Sequence, residues 1–333
     1  MEVLVSKTVW GFGLASLLAL STTTQSQELQ APAADYPSWA FPLKVERPFP
    51  PEGPETRTLA GSPRKYTQQQ IDDLLNPPDW FPDQRPDPPA IIFKGHDEAL
   101  ACSACHLMSG LGHPESADLT GLTAAYMVQQ MKDFKAGTRI DVPRMNKIAG
   151  AVSEDESQQA AAWFARLKPR PFNRVVEADS VPKTFVGNGR MRFVEPDGGT
   201  EPIGNRIITV PEDQARARLR DPDSGFIAYV PVGSIAKGKE LAETGGNGRT
   251  LACSICHGAN LTGVGNVPRL AGVHPIYAAR QLYRFRDGTR NGASAPLMKP
   301  AADRLTDEDI VNLSAYLGSL APKGASASFQ SAD

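Results

Sequence analysis

Two segments of this 333-residue chain carry the same pattern of apolar and polar positions. Tyr126, Gln130 and Phe134 recur at four-residue spacing, as do Tyr277, Gln281 and Phe285, so each trio lines one face of a helix. Gly137 and Gly288 then supply the stop signals. Ser153 with Glu156, and Thr306 with Asp309, have the spacing of helix-starting caps, in which the side chain accepts from backbone donors that lack a helical partner. They predict final helices over 154–167 and 307–319, closed by Pro169 and Pro322. Ser234 opens a further helix over 235–243, and another is expected over 67–75. Between the matching segments the texture changes. Lys183 to Val186, Arg190 to Val194, Arg206 to Val210 and Phe226 to Val230 are short β-prone runs broken by Gly, Pro, Asp and Asn.

The likeness extends beyond helical period to residue register. Aligning Cys102-Ser-Ala-Cys105-His106 with Cys253-Ser-Ile-Cys256-His257 places Tyr126 opposite Tyr277 and Gly137-Thr138-Arg139 opposite Gly288-Thr289-Arg290 without a gap. After a two-residue insertion Met145 falls opposite Met298, and Trp163 opposite Tyr316. The chain is therefore read as a tandem repeat, which fixes the fold expectation before any single motif does. The expected class is mainly α. It has a Pro-rich extension over 27–90, one helical domain over 91–169, a hairpin-rich connector over 170–231, a second helical domain over 232–322 and a tail over 323–333.

Composition narrows the environment. A formal charge of −2 gives no electrostatic case for a nucleic-acid partner. Arg216, Arg218 and Arg220, and Arg280, Arg284 and Arg286, are expected on solvated helix faces. Lys7, the apolar run Val9 to Leu20 and the small polar residues through Ser26 have the layout of a secretory signal peptide over 1–26. A run of this length is too short to cross about 30 Å of hydrocarbon. No later segment reaches a membrane-spanning length, and peripheral membrane association stays open.

The chemistry rests on the cysteines. All four lie in the two C-x-x-C-H motifs, and with five histidines in 333 residues two chance copies are negligible. Two thiols at this spacing add across the vinyl groups of one haem, and the adjacent histidine is held beneath the iron. Zinc needs four ligands per site, and neither segment offers a second Cys/His pair at the required spacing. A thiol redox pair is the remaining competitor. Cys102, Cys105, Cys253 and Cys256 are thus expected to attach two c-type haems covalently, with His106 and His257 as axial ligands. Met145 and Met298, about 40 residues further on in proline-flanked irregular stretches, are the expected opposite ligands, where a thioether gives a closed site suited to electron transfer. Met127 and Met131 are expected in the core, and His96, His113 and His274 are weaker competitors as ligands. Met108 stands too near His106 to reach the opposite face of the iron. A carbonyl at Pro268 can accept from the ring N–H of His257 and fix its tautomer. The first segment has Ala117 at that place, so the two haems are expected to differ in potential.

These motifs, with the Pro268-x-Leu270-x-Gly272 stretch, the Tyr/Gln/Phe helix and the aromatic residue of the last helix, resemble class I c-type cytochrome domains, and their pairing is similar to di-haem cytochromes of the c4 type. The resemblance covers roughly 91–168 and 232–321. It implies a periplasmic carrier that takes electrons from a dehydrogenase or quinol-oxidising complex and passes them to an oxidase or small cytochrome. A di-haem peroxidase, a di-haem oxidase of thiosulfate or other small sulfur compounds, and a haem subunit docked in a larger complex are the alternatives. No cysteine is left over as a distal ligand for sulfur oxidation.

Overall fold

A computed structural model describes residues 1–2, 36–42, 44–141 and 144–323. The apolar run of the expected signal peptide and the tail beyond 323 lie outside the described residues. No described helix is long and apolar enough to cross a membrane.

The extension contributes β1 (Thr56–Arg57), β2 (Tyr66–Thr67), α1 (Gln68–Asp72) and α2 (Ala90–Phe93). The first unit follows, with α3 (Ser103–His106), α4 (Ala124–Lys135), α5 (Met145–Ala151) and α6 (Glu154–Phe164). The connector holds β3 (Asn173–Glu177), β4 (Ser180–Pro182), β5 (Thr184–Val186), β6 (Arg192–Val194), β7 (Thr200–Pro202), β8 (Ile208–Pro211), α7 (Gln214–Arg218) and β9 (Phe226–Val230). The second unit is α8 (Ser234–Thr244), α9 (Ser254–His257), α10 (Pro275–Arg286), α11 (Ala295–Ala302) and α12 (Asp307–Ser319).

The caps read from sequence close as reciprocal boxes. Ser153 accepts from Glu156 N while the Glu156 carboxylate accepts from Ser153 N, and Thr306 and Asp309 do the same. Each box satisfies two donors that the first helical turn leaves free. In the second unit α8 crosses α12 at Gly238, where a Cβ would stand 1.9 Å from the Asn312 carbonyl oxygen. The first unit has no long leading helix. The single turn α2 instead inserts Ile91 and Ile92 into a core with Met127, Ile148, Trp163 and Phe164.

The connector departs from a chain of hairpins. β4 pairs with β7 and β5 with β6 in antiparallel fashion, but its principal sheet runs β3-β9-β8, with β3 and β9 parallel. Parallel neighbours need a long crossover, and residues 178–225 supply it; a reading based on short β-runs and turns sees only local pairings. β9 buries Ala228 and Val230 against Leu241, Ile310 and Val311 of the second unit, fastening the connector there. The described part of the extension wraps the folded units. Ala40 and Phe41 enter that same core, Glu46 N and Arg47 N donate to Val186 O, and Trp80 Nε1 donates to Leu219 O at 2.7 Å. Trp163 Nε1 donates to Pro86 O at 2.9 Å, tying the extension to the first unit.

Candidate functional site

In each unit the C-x-x-C-H motif forms one helical turn whose first cysteine stands at the N-cap. In the first unit that turn brings Cys102, Cys105 and His106 onto the lining of one cavity. His106 Nδ1 lies 2.8 Å from Ala117 O, and His257 Nδ1 lies 2.7 Å from Pro268 O. A carbonyl can only accept, so Nδ1 carries the proton and Nε2 keeps its lone pair for a metal. Burial pushes the His106 pKa down to about 4 against the opposing pull of the Ala117 carbonyl. Burial likewise lowers that of His257, against Pro268 O. Both rings are neutral at pH 7, the form that ligates iron. Ala117 supplies the same carbonyl as Pro268, so the missing proline does not deprive the first site of this support.

Cys102, Cys105, His106 and Met145 line one cavity of about 480 Å³, walled by Leu119, Met127, Ile148 and Phe164. Met145 begins α5, and Met298 sits within α11 beside Phe285, Ala295 and Ala302. The sequence reading placed both methionines in irregular stretches because prolines precede them. Pro296, however, lies in the first turn of α11, where its fixed φ favours a helix and its missing N–H is not needed. Cys253 packs beside Leu261, Ala271 and Tyr316. The competitor histidines are otherwise engaged: His96 with Glu156, His113 with Glu115 and Ser116, and buried His274 with Leu111 O.

The units meet about a pseudo-two-fold axis, and most of the interface lies where the repeat register alone points. Arg139 and Arg290 are repeat equivalents and face each other in an antiparallel bridge. Arg139 donates to Gln130 Oε1 of its own unit and to Tyr277 OH and Gln281 Oε1 of the other. Arg290 donates to Gln281 Oε1, Tyr126 OH and Gln130 Oε1, the mirror set. Ile140 N donates to Thr289 O, and Asn291 N to Thr138 O, again reciprocally. Such self-complementarity is the mark of an isologous contact. Asp118 and Arg269, also equivalents, form an ion pair in which both side chains are 3% exposed.

These cations correct the expectation of solvated arginine faces. Arg284 and Arg280 point into the interface and pair with Asp141 at 2.8 and 3.3 Å. Arg220 reaches the Ala104 carbonyl over the first cysteine motif. Arg216 stays on an exposed face as expected while pairing with Asp221, and half-buried Arg286 pairs with Asp307. Helical period could not reveal this, because α10 is covered on the face that packs against the first unit as well as on its core face. The available signal was the register, which sets Asp118 opposite Arg269 with opposite charge.

Among the described residues, buried Arg139 and Arg290 have no carboxylate ion-pair partner and Arg139 Nε has no acceptor. Arg139, Gln130, Gln281 and Arg284 also line the cavity that holds His106 and Met145. An apolar cavity, neutral imidazoles with free Nε2 atoms and the buried Arg139 guanidinium on the cavity lining fit an amphiphilic macrocycle that bears carboxylates.

Two thiols and one imidazole displayed by a single turn beside an apolar cavity define a protein that attaches haem covalently. The sequence model described as "Cytochrome c" matches residues 235–321. A cytochrome c-554(548) of Halomonas halodenitrificans is 37% identical over 75 residues, which are 22% of this chain and 90% of that protein. The chain belongs to the c-type cytochrome family, whose prosthetic group is haem c, and is cytochrome c4-like. A cytochrome c4 of Azotobacter vinelandii is 27% identical over 240 residues, covering 68% of this chain and 87% of that one. A "thiosulfate dehydrogenase electron acceptor" of Thiomonas intermedia (strain K12) is 27% identical over 215 residues, covering 63% and 74% respectively. Electron transfer is the activity these relatives support.

Proposed function

We propose that the chain is an exported, periplasmic di-haem electron carrier. Cys102 and Cys105 attach one haem and Cys253 and Cys256 the other, with His106 and Met145, and His257 and Met298, as axial ligands. The supporting observation is the duplicated motif turn, in which His106 and His257 each give their Nδ1 proton to a carbonyl and keep Nε2 free. When bound, each haem supplies an iron that exchanges single electrons. The protein holds the imidazoles neutral and oriented, closes the first cavity with apolar walls, and would offer Arg139, which lines that cavity, and its repeat equivalent Arg290 to haem carboxylates. The donor is a dehydrogenase or a quinol-oxidising complex, a reading supported by the relative named as an electron acceptor of thiosulfate dehydrogenase. The acceptor is an oxidase or a smaller cytochrome.

Measuring haem per chain and the reduced absorption spectrum of the purified holoprotein tests this reading. The expected result is two haems, both low-spin and inert to carbon monoxide. Met145→Ala and Met298→Ala should each open one site to carbon monoxide. One haem per chain, or a wild-type fraction that binds carbon monoxide, would refute the assignment.

A further inference from the structure

A second cavity, of about 300 Å³, lies where parts of 77–85 in the extension, 103–109 and 167–170 in the first unit and 220–223 in the connector come together. The turn α3 faces both cavities: Cys102, Cys105 and His106 line the first, and Ser103 lines the second. Arg220, whose guanidinium donates to Ala104 O on that turn, lines both. The repeat register sets Ser103 opposite Ser254 and Ser109 opposite Asn260, and both counterparts are exposed. The chamber is therefore made by the extension and connector, which close over the first unit, and not by the repeat itself.

Its polar groups specify a ligand. Ser103 is 2% exposed, and its Oγ and that of Ser109 are buried with no hydrogen-bond partner among the described residues. Burying a hydroxyl unpaired is costly, so both are donors held for an acceptor. Four cations line the chamber against two carboxylates. Arg85 is taken by Asp79, and Arg170 by Asp223 at 2.6 Å. Arg220 spends its N–H on a neutral carbonyl, and Lys168, exposed at the rim, has no partner among the described residues. Two positive charges thus stand without a carboxylate. Guanidinium and ammonium groups only donate, so the ligand that satisfies this set is rich in acceptors and carries about two negative charges. Trp80, Phe81 and Pro222 on the lining keep the local dielectric low and strengthen those contacts.

We propose that this chamber binds a small divalent oxyanion of the sulfate or phosphate type, and that the bound anion tunes the first haem. The binding stands on the cavity alone, and the tuning rests on the carrier reading given above. Negative charge behind the turn that holds the haem favours ferric iron, so the anion lowers the potential of the first site. By linkage the oxidised protein then holds the anion more tightly than the reduced protein does.

The test titrates oxidised and electrochemically reduced holoprotein calorimetrically with sodium sulfate, phosphate and succinate, each against sodium chloride at equal ionic strength. Sulfate or phosphate should bind the oxidised protein at one site with a Kd below about 1 mM, and about threefold more weakly after reduction. The tighter of the two identifies the source of the group. At saturation the potential step that Met145→Ala displaces should fall by about 30 mV, the same threefold factor for a one-electron couple, while the other step stays in place. Lys168→Gln should weaken binding by about tenfold and Ser109→Ala by about threefold, and Lys323→Gln, on the second unit, should leave it as in wild type. Unchanged haem spectra and circular dichroism in every variant confirm intact folding. Heats no larger than those for chloride, or binding untouched by Lys168→Gln and Ser109→Ala, would overturn the site. Binding of succinate in place of both inorganic anions would overturn the oxyanion class. Equal affinity in the two redox states, or equal displacement of both steps, would overturn the tuning. Absence of two reversible one-electron steps in anion-free buffer would instead overturn the carrier reading.

Discussion

Replacing Arg269 with Met leaves the buried Asp118 carboxyl without its guanidinium partner at the contact between the units. The Arg269 guanidinium donates to Asp118, to Thr120 O at 2.9 Å, to Ala271 O at 2.6 Å and to Thr120 Oγ1 at 3.2 Å. After substitution Asp118 keeps only Thr120 N at 2.9 Å and Thr120 Oγ1 at 2.7 Å. Breaking a buried pair from one side costs about 3–5 kcal/mol, and each carbonyl left bare adds about 1 kcal/mol. The single variant should therefore lose about 5–7 kcal/mol of stability. Pairing it with Asp118→Leu removes the stranded charge, so the double variant should lie within about 2 kcal/mol of wild type. Urea denaturation of the holoprotein followed by circular dichroism gives all corners of the cycle. A loss below about 1 kcal/mol in the single variant, or a double variant as weak as the sum of the singles, would refute the reasoning.

Other substitutions probe separate parts of the structure. Gly238→Ala places a methyl group 1.9 Å from the Asn312 carbonyl oxygen and must push α8 from α12, lowering stability in thermal melts by about 2–3 kcal/mol. Burial alone would raise the Asp141 carboxyl, but Arg284 and Arg280 outweigh it and hold its pKa down to about 2. Its folded pKa lies below the unfolded value, so its contribution of about 2 kcal/mol is complete above about pH 4 and fades as pH falls toward 2. In Asp141→Asn this part of the acid dependence should vanish from stability measured against pH. Trp163→Phe removes the bond to Pro86 O and should cost about 1 kcal/mol while raising proteolysis within the extension.

The sequence made the helical units legible because each helix buries one face and each cap uses local side chains. Ser153 with Glu156 and Thr306 with Asp309 could be read without any tertiary knowledge. The turns Cys102 to His106 and Cys253 to His257 were equally plain, since each motif is compressed into five positions. What escaped depends on contacts far along the chain. The parallel pairing of β3 with β9 spans the whole connector, and a strand reading by local turns cannot find it. Arg280 and Arg284 looked solvated because their carboxylate, Asp141, stands on the other unit. The Arg139 and Arg290 network was visible only as a repeated Gly-Thr-Arg turn. The repeat register was the underused signal, since residues equivalent by repeat meet at a pseudo-two-fold axis.

The central claim is that two haem sites of unequal enclosure pass single electrons. The first site lies under the connector with Arg144, Arg190 and Arg220 on its wall. Enclosure away from water favours the reduced iron, so this site should have the higher potential. A potentiometric titration of the holoprotein, followed by its reduced absorption bands, tests this most directly. The account predicts two one-electron steps, with Met145→Ala displacing the higher and Met298→Ala the lower. A single step, or steps displaced in the opposite order, would contradict it.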